Sequence, residues 1–286
     1  MQTLQALEHL QALRRRPDAH KGDAGKVLLV GGAPSMAGAL VLAGMGALYS
    51  GAGWTQLMML DANSAHLVPS HPELMVHNAH NHEPLQALAL MRPDVVAIGP
   101  GLGTSDQALA WLQAGLQWTG PLVLDADALN LLALHPTLVQ QLAKRGRVCI
   151  TPHPGEAARL LGCTNHVVQA DRASALQQLV ALTQAVVVLK GQHTLLASPQ
   201  HAALQCLQGN PGMAVAGMGD VLTGCIAALA AQGARAGFQL WQAAGLGVQL
   251  HAMAGDALAH QGVGPVGMTP SELAQEIRAE INAQLQ

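Results

Sequence analysis

The stretch Asp94-Val95-Val96-Ala97-Ile98-Gly99-Pro100-Gly101-Leu102-Gly103-Thr104-Ser105-Asp106 holds the pattern from which the fold follows. Its apolar run is unbroken and short, as a strand covered on both faces requires. Glycines end the run, and a helical stretch over 106–118 begins.

The unit recurs outward in both directions. Val27–Val30 ends at Gly31-Gly32, Trp54–Leu60 at Asp61, and Leu122–Leu124 at Asp125. Val148–Ile150 ends at Thr151-Pro152, and Val186–Leu189 at Lys190-Gly191. Helical stretches at 36–49, 84–91, 136–144 and 169–183 lie between or beside them. Strand-like pieces at 193–197 and 203–207 follow, then helices near 219–231, 236–260 and 270–285. This alternation predicts an open α/β fold, a mostly parallel sheet with helices on both faces. No linker, charge block or repeat interrupts it, so residues 1–286 are expected to form one domain.

Composition narrows the function. Half of the residues are hydrophobic, 11% are charged and 2% are aromatic, so the core must be built from Ala, Leu, Val and Met. Plentiful apolar residues exclude a disordered chain. A net charge of -3 and few aromatic rings argue against nucleic-acid binding. Residues 27–60 carry no charge, but turns at 31–35 and 50–53 leave only Met36–Tyr49 between them, too short to cross a bilayer. The first twenty residues predict an amphipathic helix, with Arg14-Arg15-Arg16 on its solvated face, and lack the apolar core of a secretory leader. Cys149, Cys163, Cys206 and Cys225 form no CxxC pair, which suits free thiols in a cytoplasmic setting.

Ligands of open α/β sheets bind beyond the carboxyl ends of the strands, where every motif here falls. The richest runs from Gly209-Asn210-Pro211-Gly212 to Gly217-Met218-Gly219-Asp220, ahead of an apolar helix. A helix N-terminus there offers free N–H groups to an anion. Asp220 then has two readings: a plain N-cap, or a base that takes a hydroxyl proton while the helix end holds a phosphoryl group. Gly99, Gly101 and Gly103 suit a phosphate loop or a tight turn, and their spacing departs from the dinucleotide fingerprint. His153, stiffened by Pro152 and Pro154, is either structural or a hydrogen-bonding partner for substrate. Lys190, with Gly191, Gln192, His193 and Thr194, offers a cation to a phosphate or forms a surface turn. Asp125 and Asp127 either cap the next helix, the favoured reading, or help hold Mg²⁺ indirectly. His77, His80 and His82 read as a polar loop rather than a metal site.

Taken together and in this order, His20-Lys21-Gly22-Asp23-Ala24-Gly25, Gly99–Gly103, Leu124–Asn130, Thr151–Glu156, Leu189–Gly191 and Gly209–Asp220 resemble the ADP-dependent (S)-NAD(P)H-hydrate dehydratase family over residues 20 to 280. The resemblance implies a ribokinase-like three-layer fold. It also implies a repair enzyme that phosphorylates the ring hydroxyl of hydrated NADH or NADPH with ADP, after which phosphate leaves. By position, Asp220 would be the base and touch substrate; Ala39, Gly101, Gly103 and His153 would line the hydrated-cofactor site. Lys190, Gly191, Gln192, His193, Thr194 and Gly219 would hold the AMP part of the nucleotide. Mg²⁺, a separate NAD(P)H-hydrate epimerase and a homo-oligomer, a tetramer, are further implications. Met218 stands where a hydroxyl side chain is common in the family. The alternative is a ribokinase-like small-molecule kinase of the hydroxyethylthiazole or hydroxymethylpyrimidine type.

Overall fold

The computed structural model describes residues 1–66 and 71–286. Among the described residues ten strands form one sheet: β1 (Gln2–Thr3), β2 (Lys26–Gly31), β3 (Trp54–Met59), β4 (Met75–Asn78), β5 (Val95–Ile98), β6 (Leu122–Leu124), β7 (Val148–Ile150), β8 (Val186–Leu189), β9 (Leu195–Ser198) and β10 (His201–Gln205). Their order is β1-β10-β9-β8-β7-β6-β5-β2-β3-β4. From β8 to β4 all pairings are parallel; β9 runs antiparallel to β8, and β10 to β9. The chain leaves β2 toward β3 on one side and returns to β5 on the other, so the crevice at the switch point opens between β2 and β5.

Successive strand residues serve opposite cores, because side chains alternate across a sheet. Val27, Leu29, Leu57, Val95, Val123 and Cys149 pack under α1 (Ala37–Tyr49), α9 (Met218–Gly233), α10 (Leu240–His260) and α11 (Pro270–Leu285). Leu28, Val30, Met58, Val96, Ile98 and Leu124 face the opposite layer. That layer comprises α2 (Pro84–Met91), α3 (Asp106–Gln117), α4 (Ala126–Leu134), α5 (Pro136–Arg145), α6 (Pro154–Leu161), α7 (Asn165–Ala170) and α8 (Arg172–Thr183). The three-layer arrangement expected from the sequence is therefore present.

Small residues let α1 and α9 approach until their backbones touch. A Cβ on Gly224 would lie 1.8 Å from the Ala43 carbonyl oxygen, and one on Gly46 would lie 2.3 Å from that of Val221. An aromatic-poor, alanine-rich chain fills its core this way, by shortening the gap between helices rather than filling it with rings.

Three local expectations are corrected. The N-terminal segment is not one amphipathic helix: Gln2–Thr3 pairs with β10, and a 3-10 turn over Leu7–Leu13 buries Leu10. Arg14-Arg15-Arg16 follows that turn. The helix read over 169–183 is interrupted at Asp171, which leaves the helical region and caps α8 through Ser174 N–H. His77 lies on strand β4, not in a loop, and its ring meets that of His82 edge to face at 6.0 Å. Sheet pairing to β3 decides this, and histidine spacing carries no signal for it.

Candidate functional site

The carboxyl ends of β6, β7 and β8 and the start of α9 enclose a cleft of about 690 Å³, a size that suits a small-molecule ligand. Asp125 follows β6, His153 follows β7, and Lys190 follows β8. Gly217, Gly219 and Asp220 come from the opening of α9, and Asn210 to Ala216 complete the rim.

Gly217 is the N-cap of α9, at φ 96, a backbone region that favours glycine. Asp220 sits three residues into α9 rather than capping it, which removes the N-cap reading. Among the described residues no hydrogen bond holds its carboxyl group. Burial, then the charge of Asp125, pushes its pKa up to about 7, against the pull of Lys190; Glu156 and Asp127 add to the rise. A carboxyl group that titrates near neutrality, beside free helix N–H groups, suits a general base.

Lys190 donates from Nζ to Asp125 Oδ1 at 2.6 Å. The other oxygen of Asp125 accepts from Thr223 Oγ1 at 2.7 Å. Asp125 occupies the N-cap position of α4 yet makes no side-chain cap bond, which corrects the capping expectation. Its buried charge is balanced by the lysine. Burial opposes the Lys190 charge, but Asp125, Glu156 and Asp220 outweigh it and raise its pKa. Asp127 is committed elsewhere, accepting from Gly103 N–H at 2.8 Å and from Asn130.

His153 is the N-cap of α6. Nδ1 accepts from Gly155 N–H at 2.9 Å, and Nε2 faces Glu156 Oε1 at 3.1 Å. The ring lines the cleft, with Nδ1 engaged in the cap and Nε2 beside the Glu156 carboxylate.

Of the sequence-derived site residues, the cleft gathers His153, Lys190, Gly191, Gln192, His193, Thr194, Gly219 and Asp220. Ala39, Gly101 and Gly103 do not line it. They gather next door at the switch-point crevice, where Gly101 packs on Met36 and Ala39. Ala33 N–H donates to the Gly101 carbonyl at 2.6 Å. The two clusters share the Asp125–Asp127 segment, since Gly99 packs on the Asp125 backbone.

His251 was not foreseen. It lies on the cleft wall in α10 and donates from Nε2 to the Met218 carbonyl at 2.9 Å. Burial lowers its pKa to about 4, so it stays neutral at physiological pH. Its apolar flanks, in a helix far along the chain, carry no sequence signal.

Among the described residues no group of three His, Cys, Asp or Glu side chains converges to hold an ion. Asp125 is satisfied by Lys190 and Thr223, and Glu156 by the backbone and ring of His153.

Comparison with known proteins bears on this geometry. A family model described as NAD(P)H-hydrate dehydratase matches residues 27–279. A bifunctional NAD(P)H-hydrate repair enzyme from Coxiella burnetii is 42% identical over 269 residues, covering 94% of this chain and 53% of its own. The chain thus spans about half the length of several curated relatives that it matches. An ADP-dependent (S)-NAD(P)H-hydrate dehydratase from Neisseria meningitidis is 39% identical over 270 residues, covering 92% of this chain and 87% of its own. The crystal structure of an ADP/ATP-dependent NAD(P)H-hydrate dehydratase from Bacillus subtilis, crystallised with ATP and Mg²⁺, superposes with a TM-score of 0.83. It shares 28% identity, covering 100% of this chain and 99% of that one.

Proposed function

The chain belongs to the NAD(P)H-hydrate dehydratase family, and from that premise we propose that it restores NADH and NADPH from the S-epimers of their hydrates at the expense of ADP. The observation that carries this reading is Asp220: a carboxyl group raised to about 7, free of protein partners among the described residues, at the N-terminal turn of α9.

In this scheme Asp220 takes the proton of the ring hydroxyl. The oxygen attacks the β-phosphorus of ADP, the bond to the bridging oxygen breaks, and AMP leaves. The N–H groups at the start of α9 and the Lys190 ammonium face the transferring phosphoryl group. Phosphate then departs from the ring carbon while the neighbouring carbon loses a proton, and the ring double bond returns. Phosphorylation turns a poor leaving group, hydroxide, into a good one.

Lys190, Gly191, Gln192, His193, Thr194 and Gly219 hold the AMP part in this reading. Ala39, Gly101, Gly103 and His153 border the hydrated nicotinamide. Mg²⁺ would enter with ADP and would neutralise charge developing on the transferring phosphoryl group. The same reading places the enzyme in the cytoplasm, with an NAD(P)H-hydrate epimerase in its pathway, as a homo-oligomer, a tetramer. Among the described residues no helix is long and apolar enough to cross a membrane. The scarcity of surface charge, which leaves little to repel a partner subunit, supports self-association.

The test is recovery of reduced-nicotinamide absorbance from hydrated NADH with Mg²⁺ and either ADP or ATP. Recovery with ADP, releasing AMP and phosphate, is expected. Recovery with ATP alone overturns the choice of nucleotide. A stable phosphorylated product without phosphate release favours the alternative, a ribokinase-like small-molecule kinase.

A further inference from the structure

The loop after β8 is clasped from behind by one side chain. Arg172, the first residue of α8, donates to the carbonyls of Leu189 at 3.0 Å, Lys190 at 3.2 Å and His193 at 3.5 Å, and also to that of Gln192. Its guanidinium lies directly beneath Gly191, where a Cβ would meet a terminal nitrogen at 3.1 Å. Among the described residues no carboxylate pairs with it, and its buried Nε has no partner. Loop carbonyl dipoles alone therefore balance this half-buried cation.

The consequence follows from peptide geometry. In a trans peptide the N–H points away from the preceding carbonyl. Turning the Lys190 and Gln192 carbonyls onto Arg172 turns the Gly191 and His193 N–H groups away from it. Neither of these N–H groups has an acceptor among the described residues, and both residues line the cleft. The loop holds two left-side conformations to achieve this, Gly191 at φ 136 and His193 at φ 53. The second is costly for a residue with a side chain and persists only where the surroundings enforce it. No β-ladder enforces it here, because the loop stands between the paired strands.

We propose that Arg172 is a positioning residue that holds the Lys190–Thr194 loop open for an anionic nucleotide, with two backbone donors presented and a fixed positive charge behind them. This rests on the reading of that loop as the nucleotide site. Arg172 touches no ligand in this scheme; it sets the cost of binding by removing the need to order the loop. A lysine cannot replace it, since one ammonium cannot span four carbonyls as a planar fork does.

The experiment compares wild type, Arg172→Ala and Arg172→Lys by calorimetric titration with AMP and by steady-state kinetics with ADP, after thermal unfolding has shown which variants are folded. The expected result is a rise of about tenfold or more in the AMP Kd and in KM for ADP in both variants, with kcat at saturating ADP within about twofold. A merely structural role would move kcat and stability instead of splitting KM from kcat. Unchanged Kd and KM in a folded variant overturn the inference and leave the nucleotide site intact. Failure of the wild type to bind AMP overturns the nucleotide reading and this inference with it. If neither variant folds, Arg172 belongs to the fold and the inference is likewise overturned.

Discussion

Lys190 Nζ lies 2.6 Å from Asp125 Oδ1, and these two residues, 65 apart in sequence, meet beside the first turn of α9. The pair neutralises itself inside the cleft, and Thr223 holds its acid from below. Asp220 is thereby left as a carboxyl group facing a nearly neutral pair. A free lysine would ion-pair with Asp220 and keep it too acidic to serve as a base near neutral pH. The structure instead assigns the lysine to another acid.

Asp220→Asn should reduce turnover by at least about 10²-fold, because amide nitrogen cannot take the hydroxyl proton. AMP affinity should stay within a few-fold. Turnover of hydrated NADH and calorimetric titration with AMP separate the two effects. An active Asp220→Asn enzyme removes the residue from its assigned role.

The same substitution should stabilise the fold in alkaline buffer. A carboxyl group whose pKa rises from 3.8 to about 7 on folding binds its proton more tightly in the native state. Stability is full below the unfolded pKa and falls as pH rises through the folded one. Above about pH 7 the wild type bears this cost and the amide does not. Thermal unfolding at pH 8 should therefore show a higher Tm for Asp220→Asn, and the difference should vanish near pH 4.

Turnover should fall as pH drops below about 7, where Asp220 becomes protonated. In Asp125→Asn the limb should move to lower pH, for two reasons. A repelling charge is gone, and Lys190 is released to attract the Asp220 carboxylate. A pH profile of kcat/KM for both proteins checks the sign; a shift to higher pH would contradict the arrangement.

Thr223→Val should cost about 1–3 kcal/mol, since a buried oxygen of Asp125 loses its donor. Denaturant unfolding measures this. A neutral result would mean that the hydroxyl does not satisfy Asp125 in solution.

Gly224→Ala should destabilise by several kcal/mol and reduce soluble yield, because the added methyl falls 1.8 Å from the Ala43 carbonyl oxygen. Gly262→Ala, where a Cβ meets open space, is a control for glycine replacement as such, with only the backbone cost of its positive φ. Equal unfolding midpoints for the two variants would refute the close contact of α1 and α9.

Much of this molecule was legible along the chain. Apolar runs closed by glycine, proline or aspartate mark where strands end, since a buried strand needs unbroken apolar residues and its exit needs turn chemistry. Helix bounds at Pro84–Met91 and Pro270–Leu285 follow the same logic. The short strands β1 and β4 escaped because each is defined by its partner across the sheet, not by its own residues. His251 escaped because a lone histidine in an apolar helix looks alike whether it faces a cleft or a core.

The sequence by itself determined the layer order and the set of loops that gather at one edge of the sheet, because strand and turn preferences are local. It could not decide which charges pair. Asp125 reads as a helix cap, Asp220 reads as either a cap or a base, and Arg172 carries no signal at all. Only the folded chain brings Lys190 and Thr223 to Asp125, leaves Asp220 without a partner among the described residues, and places Arg172 behind the loop. These are long-range contacts between side chains, and burial in the cleft sets their energies.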